Sequence, residues 1–361
     1  MSMSPTPLSL LATLILVAMP APAQPDAPVE LYTRACASCH GADGRGREPA
    51  QVAFAAQVPD FTDCEFASRE PDPDWYAVIH QGGPVRAFDR MMPAFGEALT
   101  GDEMRSILLH VRTFCDDPRW PRGEFNLPRP LFTEKAFPED EVVLTVAGDE
   151  SATELELLYE KRFGPRGMVE VAIPAVSVES AGGDRETGGG DIALGYKHTV
   201  YSDLRSGNIF SLGGEVILPT GDDERDLGKG TTVLEPFVTW GKLFGGDTFL
   251  QAHAFAEFPT RSDFDDELGL RMALGRTWAS AGGFGRSWTP MLEVLAVRDL
   301  TSGAATRVDL VPQMQVSLSE RQHVLLNLGV TVPVVETARR DAQVVVYLLW
   351  DWFDGGFFDG W

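Results

Sequence analysis

Val308-Asp309-Leu310-Val311-Pro312-Gln313-Met314-Gln315-Val316-Ser317-Leu318 places Val308, Leu310, Pro312, Met314, Val316 and Leu318 on one face and Asp309, Gln313, Gln315 and Ser317 on the other. A period of two with one apolar and one polar face marks a half-buried strand. The same alternation recurs. Val324, Leu326, Leu328, Val330 and Val332 oppose His323, Asn327, Gly329 and Thr331, and Leu268, Leu270, Met272 and Leu274 oppose Gly269, Arg271, Ala273 and Gly275. Ile192, Leu194, Tyr196 and Val200 oppose Ala193, Gly195, Lys197 and Thr199. The polar faces carry ions inside the strands: Lys197, Glu215, Glu235, Glu257, Arg271, Glu293 and Asp309. A sandwich core buries such charges only at high cost. A transmembrane barrel turns them into a wet lumen and faces the apolar side to lipid. The competing architecture is a soluble β-domain.

About twelve strands of membrane-crossing length are expected, starting near Glu141, Thr153, Met168, Asp191, Asn208, Thr232, Thr248, Asp266, Trp288, Arg307, His323 and Gln343. Short turns at Gly164–Gly167 and Ser319–Gln322 tend to alternate with longer glycine-rich loops around 180–190 and 219–230, as in outer-membrane barrels. Trp240, Trp278, Trp288, Trp350 and Trp352 near strand ends are expected in interfacial girdles, and the chain ends on an aromatic residue, Trp361. The stretches Gly189-Gly190-Asp191-Ile192-Ala193-Leu194-Gly195-Tyr196-Lys197 and Leu218-Pro219-Thr220-Gly221-Asp222, with Gly228-Lys229-Gly230 after them, resemble the outer-membrane barrel family named for a meta-pathway of phenol degradation. The resemblance covers about 150–352 and implies a barrel more than an activity.

The first half reads differently. Cys36-Ala37-Ser38-Cys39-His40 has the spacing that attaches haem covalently, with both thiols on the vinyl groups and the imidazole as axial ligand. No second cysteine pair follows at zinc spacing, and no βαβ pattern suggests a thioredoxin-like site. Gly41-Ala42-Asp43-Gly44-Arg45-Gly46 then lets the backbone turn closely around the cofactor. The second axial ligand is sought in Met91-Met92-Pro93-Ala94-Phe95, with Met92 the best placed and Met91 or His80 the alternatives. Cys-x-x-Cys-His-Gly together with Met-Pro-x-Phe resembles class I mono-haem cytochromes c. That resemblance implies one haem c held by Cys36 and Cys39, with His40 and Met92 on its iron. Thr100 and Glu103 form a capping-box pattern ahead of a stripe of Met104, Ile107, Leu108 and Val111 at helical spacing; the resemblance implies that this helix crosses the N-terminal one, with Leu108 and Val111 near Leu31 and Tyr32. Cys64 and Cys115 are expected as a disulfide in an oxidising compartment, with two buried thiols as the other state.

Domain organisation follows. Leu8 to Met19 is a short apolar run before Ala21-Pro22-Ala23, the pattern of a secretory signal over 1–23, although Met1 to Pro7 lacks Lys and Arg. A cytochrome domain over 26–116, a Pro-rich linker over 117–140 and a barrel over 141–361 account for the 361 residues. The linker holds Pro118, Pro121, Pro128, Pro130 and Pro138 together with Trp120 and Phe125; it is either a semi-rigid spacer or an ordered strap docking the cytochrome on the second domain. A net charge of −23 argues against nucleic acid. An iron with both axial positions filled favours passing single electrons over enzymatic chemistry. The leading expectation is an electron carrier anchored in outer-membrane lipid, its cytochrome in the periplasm exchanging electrons with periplasmic redox proteins or other cytochromes. The alternative is a small-solute pore with the cytochrome as plug, redox sensor or docking module.

Overall fold

The computed structural model describes residues 27–52, 57–86, 88–179, 183–279, 285–338 and 340–351. The expected signal segment 1–23, Trp352 and Trp361 lie outside the described residues.

The N-terminal part is helical: α1 Pro28–Ala35, α2 Ala37–His40, α3 Pro49–Val52, α4 Cys64–Ala67, α5 Asp72–Gln81 and α6 Gly101–Arg112. Thr100 accepts from the Glu103 amide while Glu103 reaches back to the Thr100 amide, which starts α6. Its buried stripe of Met104, Ile107, Leu108 and Val111 shares one core with Leu31 and Tyr32 of α1. Cys64 and Cys115 are joined by a disulfide, Cα–Cα 5.3 Å, tying α4 to the segment after α6.

The remainder is antiparallel sheet: β1 Asp140–Gly148, β2 Ala152–Phe163, β3 Gly167–Glu179, β4 Arg185–Gly189, β5 Ile192–Asp203, β6 Asn208–Leu218, β7 Val233–Phe244, β8 Thr248–Pro259, β9 Glu267–Arg276, β10 Trp278–Ala279, β11 Ser287–Asp299, β12 Arg307–Ser317, β13 Val324–Val335 and β14 Gln343–Asp351. Short β4 and β10 decorate β3 and β11; the other twelve pair with sequence neighbours, and β1 pairs with β14 to close a barrel. Each long strand begins within one residue of its expected start.

Alternation runs inside out. Leu268, Leu270, Met272 and Leu274 point outwards and are exposed, while Lys197, Thr239, Glu293 and Asn327 point inwards and are buried. That is the polarity of a wall between lipid and a polar lumen, so the sheet is a transmembrane barrel. The start of β1 and the end of β14 lie at one end, the near mouth. Trp240, Trp278, Trp288 and Trp350 all sit at that end, so they form one girdle and not two.

Candidate functional site

The Cys36–His40 motif is shaped by two short helices meeting at Cys36. The Cys39 and His40 amides both donate to the Cys36 carbonyl, at 3.1 and 2.9 Å, so one helical turn brings the two thiols onto the same side. Gly41 ends the turn at φ +74°, and its carbonyl accepts from the Tyr32 hydroxyl at 2.8 Å. Gly44, at φ +75°, lies so close to Phe114 that a Cβ would stand 2.6 Å from the ring. Only glycine fits there.

Cys36, Cys39, His40 and Met92 line one cavity of about 400 Å³, whose walls also include Phe61, Trp75, Ile79 and Phe95. The His40 ring stacks on Phe61 at 4.6 Å, and its Nδ1 is buried without a hydrogen-bond partner among the described residues. Burial pulls its pKa down to about 4, keeping the imidazole neutral with a lone pair available to iron. Burial, then the neighbouring Cys39, pushes the Cys36 thiol up to about 11. Two free thiols, a neutral imidazole and a thioether around one apolar cavity fit haem c. The donor set would hold it through Cys36 and Cys39, with His40 and Met92 on the iron. Met91 also lines the cavity but is half exposed; His80 is exposed on α5, stacked against Tyr76, and does not line it.

Glycines also shape the methionine loop, a feature not anticipated from the sequence. A Cβ on Gly82 would meet the Met92 carbonyl at 2.9 Å, and the Gly83 amide donates to that carbonyl at 3.1 Å. The Phe95 amide donates to Ile79 at 2.9 Å, so the loop is fastened to the end of α5. The adjacent Gly82-Gly83 was the available signal. Arg86 is a second addition. It lines the same cavity, pairs with Glu70 and with Asp74 at 3.6 Å, and donates at 2.6 Å to the Arg321 carbonyl in the turn between β12 and β13. Arg69 reaches Asp140 of β1 at 2.9 Å. The cytochrome part is thus seated on the near mouth by charge-assisted contacts.

The stretch read as a Pro-rich linker does more than span the two halves. From Leu127 to Glu139 it runs inside the lumen as an ordered strap. The Leu131, Phe132 and Thr133 amides all donate to the Glu293 carboxylate, at 2.9, 3.2 and 2.8 Å, and the Thr133 hydroxyl adds a bond of 2.6 Å. Arg129 donates to Glu141 and Glu160 at 2.7 and 2.8 Å, and its carbonyl accepts from Tyr347 at 2.5 Å. Lys197 holds Glu134 and donates to the Lys135 carbonyl at 2.7 Å, while Arg271 donates to the Phe132 carbonyl at 3.0 Å. Apolar groups fill between: Leu127 packs on Phe249 and Met291, and Phe137 on Ile209. Pro128 and Pro130 suit this setting because they bring no amide that would need a partner. Charges expected on the polar faces therefore do different work: Lys197, Arg271 and Glu293 grip the strap, whereas Glu257 pairs with Lys229 and Asp309 with Arg340.

Residues 23–111 match the family model described as cytochrome c oxidase, cbb3-type, subunit III. No curated protein matches the sequence. Among solved structures the chain is similar to an outer membrane channel from Pseudomonas putida F1, with 13% identity, a TM-score of 0.45 and coverage of 62% of this chain and 100% of that one. It is also similar to KdgM porin, at 8% identity and TM-score 0.41 over 59% of this chain and 99% of that one. NanC porin follows at 7% identity and TM-score 0.40, over 59% and 98%. The chain thus joins a cytochrome c domain to a barrel that resembles outer-membrane channels and porins.

Proposed function

We propose that this chain is a mono-haem c-type cytochrome anchored in the outer membrane, passing single electrons at the periplasmic face, and that its barrel serves as a closed mount and not as a pore. The observation that carries this reading is the strap: residues 127–139 loop into the lumen and are hydrogen-bonded to Glu293, Lys197, Arg271 and Tyr347 of the wall. A solute path would have to break those bonds.

Haem c bound here would supply a one-electron iron couple. The protein's own residues do the rest. Cys36 and Cys39 would fix the group covalently, His40 and Met92 would serve as its iron donors, and Phe61 and Trp75 would keep water off it. Donors from both His40 and Met92 would disfavour substrate activation at the iron, so the chain is read as a carrier and not as an enzyme. Its partners are periplasmic redox proteins or further cytochromes. A route across the membrane would need such partners, since an apolar band about 25 Å tall is too deep for one group at its edge.

The test is planar-bilayer conductance of the full chain with the iron oxidised and then reduced, beside reduction of the same sample by a periplasmic extract. A silent barrel with reducible haem supports the closed mount. Steady conductance in either redox state would instead favour the pore, with the cytochrome regulating it.

A further inference from the structure

Where the strap leaves the lumen it meets the barrel seam. Glu139 ends the strap, Glu141 starts β1 and Asp351 ends β14; Glu141 and Asp351 stand opposite each other in the closing strand pair. One carboxylate oxygen from each of the three lies within 4.8 Å of the others. All three residues are buried, Asp351 to 6% exposure. Like charges directly opposite on paired strands repel, and burial sharpens the repulsion.

The cations present are too few. Lys135 stands 2.6 Å from Glu139 and 3.8 Å from Glu141, which offsets one of three charges. Arg129 takes the other oxygen of Glu141 and is shared with Glu134 and Glu160. The Asp351 carboxylate has neither a hydrogen bond nor an ion pair among the described residues, and its Oδ1 is wholly buried. The second buried acidic group, Glu134, Glu160 and Glu170, differs because Arg129 and Lys197 are both seated in it. The seam group is also reachable, since Glu141 and Asp351 line a vestibule of about 250 Å³ between the cytochrome part and the near mouth.

We propose that Glu139, Glu141 and Asp351 form a calcium site that pins the outgoing end of the strap to the first and last strands. Three carboxylates with room for water are a hard-oxygen donor set, and Ca²⁺ tolerates their irregular directions better than Mg²⁺, which demands a near-ideal octahedron. Lys135 offsets one of the three charges and Arg129 is shared with two further carboxylates, so negative charge remains for a divalent ion to balance.

Full-chain, haem-loaded protein in detergent micelles would be stripped with EGTA and titrated with CaCl₂, and separately with MgCl₂, by calorimetry. One equivalent of Ca²⁺ should bind with a dissociation constant of about 10⁻⁴–10⁻³ M, the range of extracellular sites. Asp351→Asn, which keeps the shape and removes the charge, should weaken binding ~10-fold or more because affinity follows ligand charge. Glu139→Gln is the second variant, should the first not fold. Ca²⁺ should also raise the temperature at which the folded band converts to the unfolded one on gels. No binding of Ca²⁺ by the wild-type chain up to ~10 mM, well above that range, would overturn the site. So would tighter binding of Mg²⁺ than of Ca²⁺, or unchanged affinity in both variants.

Discussion

The cytochrome part and the barrel bury opposite kinds of residue. In α6, Ile107 and Leu108 are inside and the paired side chains of Asp102 and Arg105 are outside. In β9 and β11, Leu270 and Leu292 are outside, while Glu293 and its strap partners are inside. The contrast shows that the hydrophobic effect does not prescribe an apolar interior. It prescribes that apolar surface avoid water, and lipid serves as well as a core. The barrel interior must then be held by satisfied polar groups, because a buried donor or acceptor left without a partner costs about 1–3 kcal/mol.

That contrast can be broken in several ways, beginning with the largest effect. Replacing Cys36 and Cys39 together by Ser should abolish haem staining entirely while the folded barrel band on unheated gels persists; loss of that band would mean the halves do not fold independently. Next is the disulfide. With a sequence separation of 51, its removal by Cys64→Ser with Cys115→Ser should cost the cytochrome part about 4 kcal/mol on the chain-entropy account. Denaturant midpoints followed by haem absorbance would read it, and the barrel transition should not move.

A third test compares two exposed leucines. Leu109 is 64% exposed on α6 and Leu270 is 44% exposed near the middle of β9. Leu270→Arg should destabilise the membrane-inserted barrel by about 2–4 kcal/mol. Leu109→Arg should change the cytochrome part by no more than about 0.5 kcal/mol. Equal effects in lipid vesicles would contradict a lipid-facing wall. The smallest effect belongs to the cap: Thr100→Ala should cost α6 about 1 kcal/mol, visible in the cytochrome transition alone.

Legibility followed the range of the interactions. Strand starts could be placed to a residue because period-two alternation is local and the outward face is uniformly apolar, as at Leu268, Leu270 and Met272. The cavity shared by Cys36, Cys39, His40 and Met92 was legible because the first three form one short motif and Met92 adjoins Pro93. The strap's location was not. A Pro-rich tract has no periodicity, and its partners Lys197, Arg271, Glu293 and Tyr347 lie far along the chain. Each reads in its own strand only as a charged or polar residue on the inner face. Arg86 was opaque for the same reason, since its acceptor at Arg321 is a backbone carbonyl 235 residues away.

The strap's course has a topological consequence. It enters at the near mouth and runs inward to the level of Glu293. It then returns to the same mouth, where Asp140 opens β1. A segment whose two ends leave by one opening is looped in and not threaded through. The barrel can therefore close first and be corked afterwards, and the cork can be drawn without parting β1 from β14 or knotting the chain. Only hydrogen bonds, ion pairs and packing hold it in place, so its seating is an equilibrium.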